Sequence, residues 1–130
     1  MARILIAEDD EPVRGFVKRA LEMDGHQVVA EADGAAALDR LNDEHGAFDM
    51  ILSDIRMPLM DGIALALTAG RDFPELPILL MTGFADQRER AHDLNAIIED
   101  VITKPFSLAE IRAAVEKVLA GGKRGAAAAQ

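Results

Sequence analysis

The sequence predicts an α/β fold of the (βα)5 type, in which a parallel five-stranded sheet carries helices on both faces. Its 130 residues suit one domain of ordinary size. Half of them are apolar, which is enough for a core and excludes wholesale disorder. Short apolar runs alternate with helical patterns along most of the chain, and this alternation is typical of parallel strands joined by helices.

The first two strand–helix units follow from apolar periodicity. Residues 3–7 form an apolar run that stops at acids, and 27–31 form a second run. Between them, apolar side chains recur at the spacing of one helical face: Val13, Phe16, Val17, Ala20 and Leu21. Gly25 suits the left-handed conformation just past a helix end. The Ala-rich segment 35–41 predicts the second helix.

Three further units complete the pattern. Apolar runs predict the remaining strands at 48–53, 77–81 and 100–103. Helical patterns follow each of them, from Asp61-Gly62 onward, near 86–95 and at 107–120. The run at 48–53 is mostly apolar, as expected of a central strand covered on both faces. A capping box of Ser107 and Glu110 predicts where the last helix begins.

The topology and the domain boundary follow from these elements. Right-handed crossovers leave few arrangements of five parallel strands, and the flavodoxin-like order 2-1-3-4-5 is the most economical for this length. The predicted domain spans residues 1–120. After Ala120 the composition becomes rich in Gly and Ala, so 121–130 is predicted to be a flexible tail.

Composition excludes several classes of function. Fourteen basic residues against 23 acidic ones give a net charge of −9, which argues against nucleic acid as a partner. The chain has no Cys, and its three His make no metal-ligand spacing, so zinc and disulfide chemistry are not expected. No apolar run approaches the roughly 18 residues of a membrane span, and an acid at Glu8 precludes a signal-peptide core. We therefore expect a soluble, cytoplasmic domain with no membrane contact.

Acidic residues end two strands at the edge where such sheets bind ligands. In a doubly wound sheet, ligands lie beyond the carboxyl ends of the strands where the strand order reverses, here between the first and third strands. The first strand ends in Glu8-Asp9-Asp10 and the third in Ser53-Asp54. Crowded carboxylates repel one another unless a cation is present, and oxygen ligands alone favour Mg²⁺. Helix capping would also explain the first acids, and an Asx-turn would explain Asp54.

Two more polar residues end strands at the same edge. Thr82 follows the fourth strand and Lys104 the fifth. Alone, such a Thr is usually a turn residue and such a Lys a solvated charge. With the acidic pair and Asp54, however, they complete the requirements of aspartyl phosphorylation. These are a carboxylate nucleophile, Mg²⁺, and a hydroxyl and an ammonium for the phosphoryl oxygens.

Four segments carry a resemblance to a known family: ILIAEDDEP, LSDIRMPLMDG, LLMTG and ITKPF. In order and spacing they resemble the CheY-like receiver domain of two-component response regulators, over roughly 3–120. The resemblance implies Mg²⁺ binding and phosphorylation. The metal residues would be the acidic pair Glu8 and Asp9, of which Asp9 is the direct ligand, together with Asp54 and the Arg56 backbone carbonyl. Asp54 would also be the phosphoacceptor, Thr82 the switch hydroxyl and Lys104 the family's lysine. The family's switch aromatic precedes that lysine by three residues, where this chain has Val101. The readout of Thr82 must therefore use other packing.

The resemblance also implies partners. A histidine kinase or histidine phosphotransferase would donate the phosphoryl group, and a monomer or weak dimer would signal by contact with an output protein. No enzyme activity is expected beyond the domain's own phosphotransfer and dephosphorylation. Among single-domain receivers the chain looks most like CpdR-type regulators, which phosphorelays control and which steer the ClpXP protease toward its substrates.

Three alternatives to this function remain open. A chemotaxis-type receiver with another target is the nearest. A phosphatase of the haloacid-dehalogenase type would need a second Asp two positions after the nucleophile, where this chain has Arg56. A flavodoxin-type FMN carrier would need aromatic rings for the flavin, and the chain has neither Trp nor Tyr.

Overall fold

The five strands form one parallel sheet in the predicted order. The computed structural model describes residues 1–83, 91 and 94–121. Within them the strands are β1 (Arg3–Ala7), β2 (Gln27–Glu31), β3 (Met50–Asp54), β4 (Ile78–Thr82) and β5 (Asp100–Thr103). Their spatial order is β2-β1-β3-β4-β5, and every pairing is parallel, which confirms the predicted topology.

Four helices are described, and each begins at a side-chain cap. They are α1 (Glu11–Met23), α2 (Gly34–Asp43), α3 (Gly62–Asp72) and α4 (Leu108–Gly121). Asp10, Asp33 and Asp61 each accept a hydrogen bond from a backbone N–H in the first turn of the helix that follows. Ser107 and Glu110 form the predicted capping box at the start of α4. The helix predicted near 86–95 falls mostly on residues outside the described part of the chain.

The helices cover both faces of the sheet. One apolar cluster packs α2 and α3 against one face and includes Leu5, Ile51 and Leu80. The other packs α1 and α4 against the opposite face and includes Ile4 and Leu52. Every residue of β3 is buried, as predicted for a central strand. None of the described helices combines the length and apolarity that crossing a bilayer requires.

The strand register aligns the functional edge. Ala7 pairs with Ser53, Asp54 with Met81, and Thr82 with Thr103, so the strands end at a common level. Asp54 and Thr82 are the last residues of their strands rather than the first residues beyond them. The Lys104–Pro105 peptide bond is cis. The tail predicted at 121–130 lies outside the described residues except for Gly121, which ends α4, so that boundary stays a prediction.

Candidate functional site

Three carboxyl groups converge where β1 and β3 end. Oxygen atoms of Glu8, Asp9 and Asp54 all lie within 4.8 Å of one another. Glu8 is completely buried and Asp54 is only 6% exposed, whereas Asp9 is open to solvent. The sheet therefore brings together acids that are more than forty positions apart in the sequence, as the strand order predicts.

Lys104 bridges two of these carboxylates. Its Nζ lies 2.6 Å from Glu8 Oε1 and 3.2 Å from Asp54 Oδ1. Its backbone N–H donates to the Thr82 carbonyl oxygen at 2.7 Å, which ties the residue after β5 to the end of β4. The contacts of the Lys104 ammonium with Glu8 and Asp54 are charge-assisted, and such hydrogen bonds are stronger than neutral ones. The lysine is therefore a fixed part of the acidic cluster rather than a solvated charge.

Burial dominates the electrostatics of the cluster. It raises the pKa of Glu8 to about 7, against the hydrogen bond from Lys104 and with help from the charge of Asp54. Burial also raises the pKa of Asp54, and Lys104 opposes that shift. Burial would lower the pKa of Lys104, but its bonds and attraction to both acids outweigh this effect, so its pKa is raised and it stays charged. The cluster thus has an excess of negative charge in a poorly solvated place.

Four different segments anchor Glu8. Its backbone N–H donates to the Glu31 carbonyl of β2 at 3.0 Å. Its carbonyl accepts a hydrogen bond from Arg14 Nη1 of α1 at 2.9 Å. One carboxylate oxygen pairs with Lys104, and the other accepts from the Asp10 N–H at 3.3 Å. Sequence reasoning missed Arg14, because apolar periodicity assigns its position to the polar side of the helix.

The donor set fits a hard divalent cation. Mg²⁺ prefers oxygen ligands, usually with one or two carboxylates and several waters. Glu8, Asp9 and Asp54 offer three carboxylate oxygens within reach of a single ion. Arg56 is exposed in the loop directly after β3. Its carbonyl as a further ligand stays a prediction.

Gly62 allows α3 to begin against the backbone of Asp54. Its N–H donates to the Ile55 carbonyl at 2.8 Å. A Cβ at this position would overlap the Asp54 carbonyl oxygen, far inside van der Waals contact. Only glycine therefore permits the approach that fixes the end of β3. The Asp61-Gly62 pair predicted a helix start, but nothing in the sequence indicated this contact.

The two residues assigned to switching lie on neighbouring strands. Thr82 is completely buried at the end of β4. Val101 is half-buried on β5 beside Leu80, two residues before Thr82 along its partner strand. It packs on the apolar cluster beneath α2 and α3. Their part in switching stays a prediction.

An apolar cleft opens beside Lys104. Its volume is about 480 Å³, and five further residues line it: Pro12, Val13, Phe16, Pro105 and Phe106. The rings of Phe16 and Phe106 lie 6.5 Å apart, one from α1 and one from the loop before α4. The cleft is therefore an apolar surface next to the acidic cluster.

A second group with ligand-like residues lies between α1 and α4 but is already saturated. It comprises Asp24, His26 and Glu116. Arg112 forms an ion pair with Asp24. His26 Nδ1 accepts the Ala2 N–H at 3.1 Å, so the ring proton is on Nε2, which donates to Glu116 at 3.0 Å. Because no ring lone pair is left for a metal, this group fastens the two helices together.

Comparison with known proteins identifies a common domain. Residues 4–116 match the profile described as "Response regulator receiver domain". The chain is 41% identical over 119 residues to the response regulator receiver protein CpdR of Brucella abortus, covering 92% of this chain and 98% of that protein. It is 33% identical over 117 residues to the response regulator MprA of Mycobacterium avium, covering 90% of this chain but only 50% of MprA. The solved structure of the chemotaxis response regulator CheY4 of Vibrio cholerae matches with a TM-score of 0.80 and 26% identity, covering 91% of this chain and 98% of that one.

Proposed function

The chain belongs to the response regulator receiver family, and we propose that it is a phosphorelay regulator that accepts a phosphoryl group on Asp54 in the cytoplasm and signals by protein contact. The observation that carries this proposal is the cluster in which Lys104 joins Asp54 to the buried Glu8. Among the described residues, this is where a carboxylate, a fixed ammonium and a set of metal-binding oxygens meet.

The chemistry is an in-line displacement at phosphorus. A carboxylate oxygen of Asp54 attacks the phosphorus of a phosphohistidine on a histidine kinase or histidine phosphotransferase. The P–N bond breaks as the P–O bond forms, and the imidazole leaves with its electron pair and takes up a proton. Bound Mg²⁺, held by Glu8, Asp9, Asp54 and the Arg56 carbonyl, would neutralise charge on the phosphoryl oxygens.

Lys104 and Thr82 bind the phosphoryl group once it is on Asp54. Attack by Asp54 turns a carboxylate that Lys104 contacts at 3.2 Å into an acyl phosphate. The ammonium is then placed to bind a phosphoryl oxygen while it keeps its 2.6 Å bond to Glu8. The Thr82 hydroxyl at the end of the adjacent strand binds another phosphoryl oxygen and carries the change to the packing around Val101.

The phosphodonor has an apolar surface on which to dock. Its histidine must lie in line with Asp54, which requires contact close to the acidic cluster. The cleft lined by Pro12, Phe16 and Phe106 borders Lys104 and meets this requirement. Apolar cores inside a polar rim are typical of such interfaces.

The proposed output is regulation of ClpXP-dependent proteolysis. It is supported by the 41% identity to CpdR, which extends over nearly the full length of both chains. Affinity capture from cell extract with the wild type and with Asp54→Ala would test it. We expect ClpXP components to be recovered in an amount that depends on Asp54. Recovery of a flagellar-motor or other target in their place would favour the chemotaxis-type alternative.

The phosphorylation site has a direct test. Acetyl phosphate with Mg²⁺ should add one acid-labile phosphoryl group, detected by mass spectrometry of the intact protein. Asp54→Asn should abolish the addition. Asp72→Asn is the matched control, because Asp72 is an exposed acid at the distal end of α3. Labelling that persists in Asp54→Asn would contradict the assignment.

A further inference from the structure

Arg14 reaches from α1 to the backbone of the acidic cluster. It is the fourth residue of the helix and is half-buried. Its own N–H donates to the Asp10 carbonyl at 2.8 Å, so its Cα is fixed by the first turn. Its guanidinium Nη1 then donates to the Glu8 carbonyl oxygen at 2.9 Å. Within the described part of the chain, the side chain of Arg14 is thus held by its hydrogen bond to the Glu8 backbone.

The Glu8 carbonyl belongs to the peptide unit that leads into Asp9. Glu8 is held on its other side by β2 and by Lys104. Asp9, in contrast, is exposed and lies beyond the end of β1. The orientation of the 8–9 peptide decides where the Asp9 carboxylate points, and the bond from Arg14 fixes that peptide.

We infer that Arg14 is a positioning residue for the metal site, holding the 8–9 peptide so that Asp9 faces Glu8 and Asp54. This inference rests on the proposed function, since it assigns Mg²⁺ binding to those three acids. Partners that orient metal ligands typically contribute tenfold to a hundredfold in metal affinity.

Charge and position predict opposite effects at Arg14. A guanidinium close to a cation site repels the cation, so on charge alone its removal would tighten Mg²⁺ binding. If Arg14 acts by fixing the peptide, its removal weakens Mg²⁺ binding in spite of the lost repulsion. The sign of the change therefore separates the two roles.

The test compares Arg14→Leu with Arg14→Lys and Arg19→Leu. Arg19 is exposed on the same helix, and its replacement changes the charge equally without touching Glu8. Because the chain has neither Trp nor Tyr, Mg²⁺ titrations are followed by NMR of the backbone amides. Hydrogen exchange at the Asp9 and Asp10 amides, measured without Mg²⁺, reports the freedom of the peptide directly.

We expect Arg14→Leu to weaken Mg²⁺ binding by about tenfold and to speed exchange at the Asp10 amide, which donates to Glu8 Oε2. Arg14→Lys, which keeps a donor and the charge, should recover most of the affinity, and Arg19→Leu should match the wild type. If Arg14→Leu does not fold, Arg14→Gln compared with Arg19→Gln makes the same test, with weaker binding expected only for the former.

Two results would overturn the inference. One is an Arg14→Leu variant that binds Mg²⁺ as tightly as the wild type, or more tightly. The other is an Arg14→Lys variant as impaired as Arg14→Leu. A wild-type protein that neither binds Mg²⁺ nor accepts a phosphoryl group would instead overturn the proposed function. The two failures are therefore distinguishable.

Discussion

Replacing Glu8 by Gln measures what the buried acid does to the stability of the metal-free fold. Burial raises the pKa of Glu8 from 4.5 to about 7. Because the folded-state pKa is raised, the stabilising contribution of this carboxyl is fully present below about pH 4.5 and is lost as the pH rises through about 7. A shift of this size corresponds to about 3 kcal/mol in all, of which about 2 kcal/mol falls between about pH 5.5 and about pH 8.5.

Urea unfolding in the presence of EDTA, followed by far-ultraviolet circular dichroism, gives the free energy of unfolding at both pH values. The wild type should lose about 2 kcal/mol over this interval or more, since the raised pKa of Asp54 acts in the same direction. Glu8→Gln should remove most of the loss. The pH dependence is compared, rather than the absolute values, because Gln also changes the bond to Lys104. Glu11→Gln, at an exposed acid in the first turn of α1, should keep the wild-type dependence.

Magnesium ions supply a second arm of the same experiment. A cation that binds only the folded state with its acids ionised stabilises that state most where those acids are charged. Saturating Mg²⁺ should therefore flatten the pH dependence of the wild type and do little to that of Glu8→Gln. An equal pH dependence in the metal-free wild type and Glu8→Gln would refute the reasoning, because burial of the Glu8 charge would then have no energetic consequence.

Three further predictions concern the same edge of the sheet. Lys104→Met should slow phosphotransfer from acetyl phosphate and lower the free energy of unfolding by about 3 kcal/mol at about pH 8.5, because two buried acids lose their cation; a normal rate would show that the charge is not used. Asp9→Asn should weaken Mg²⁺ binding, measured by NMR titration, more than Asp10→Asn, since Asp10 caps α1; equal affinities would contradict the ligand assignment. Gly62→Ala should lower both the melting temperature and the phosphorylation rate, because its Cβ displaces the Asp54 carbonyl, whereas Gly121→Ala, at an open position, should change neither; unchanged values for Gly62→Ala would show that α3 can shift freely.

The sequence predicts the strand order and the sheet edge at which the site lies, because both depend on local signals. Apolar runs and helical stripes fix the order of elements, and the crossover rule then leaves the strand order that the sheet shows. Once that order is known, residues at or just beyond the carboxyl ends of β1, β3, β4 and β5 must meet at one edge. The convergence of Glu8, Asp54 and Lys104 follows from this topology alone.

The contacts that fix the backbone of the site join separate segments of the chain. For that reason the sequence does not reveal them. Gly62 matters through a backbone oxygen eight positions earlier in the chain. Arg14 matters through a carbonyl that its side chain reaches by folding back over the start of α1. Periodicity reports whether a position faces the core, but it does not report which polar atom a side chain meets. Pairings such as those of Lys104 become visible only when distances are known.

The net charge of the acidic cluster indicates why the fold keeps carboxylates that repel one another in the absence of a cation. When all groups are ionised, Glu8, Asp9 and Asp54 carry three negative charges against the single positive charge of Lys104. Even with the guanidinium of Arg14 near the Glu8 carbonyl, the cluster keeps an excess of negative charge, which a divalent cation would offset. The charge of Lys104 alone does not balance the acids. A metal-free domain reduces the excess negative charge by protonating Glu8, whose pKa lies near 7. Relief of this repulsion therefore contributes to the affinity of the folded domain for the ion, and the bound ion in turn stabilises the fold.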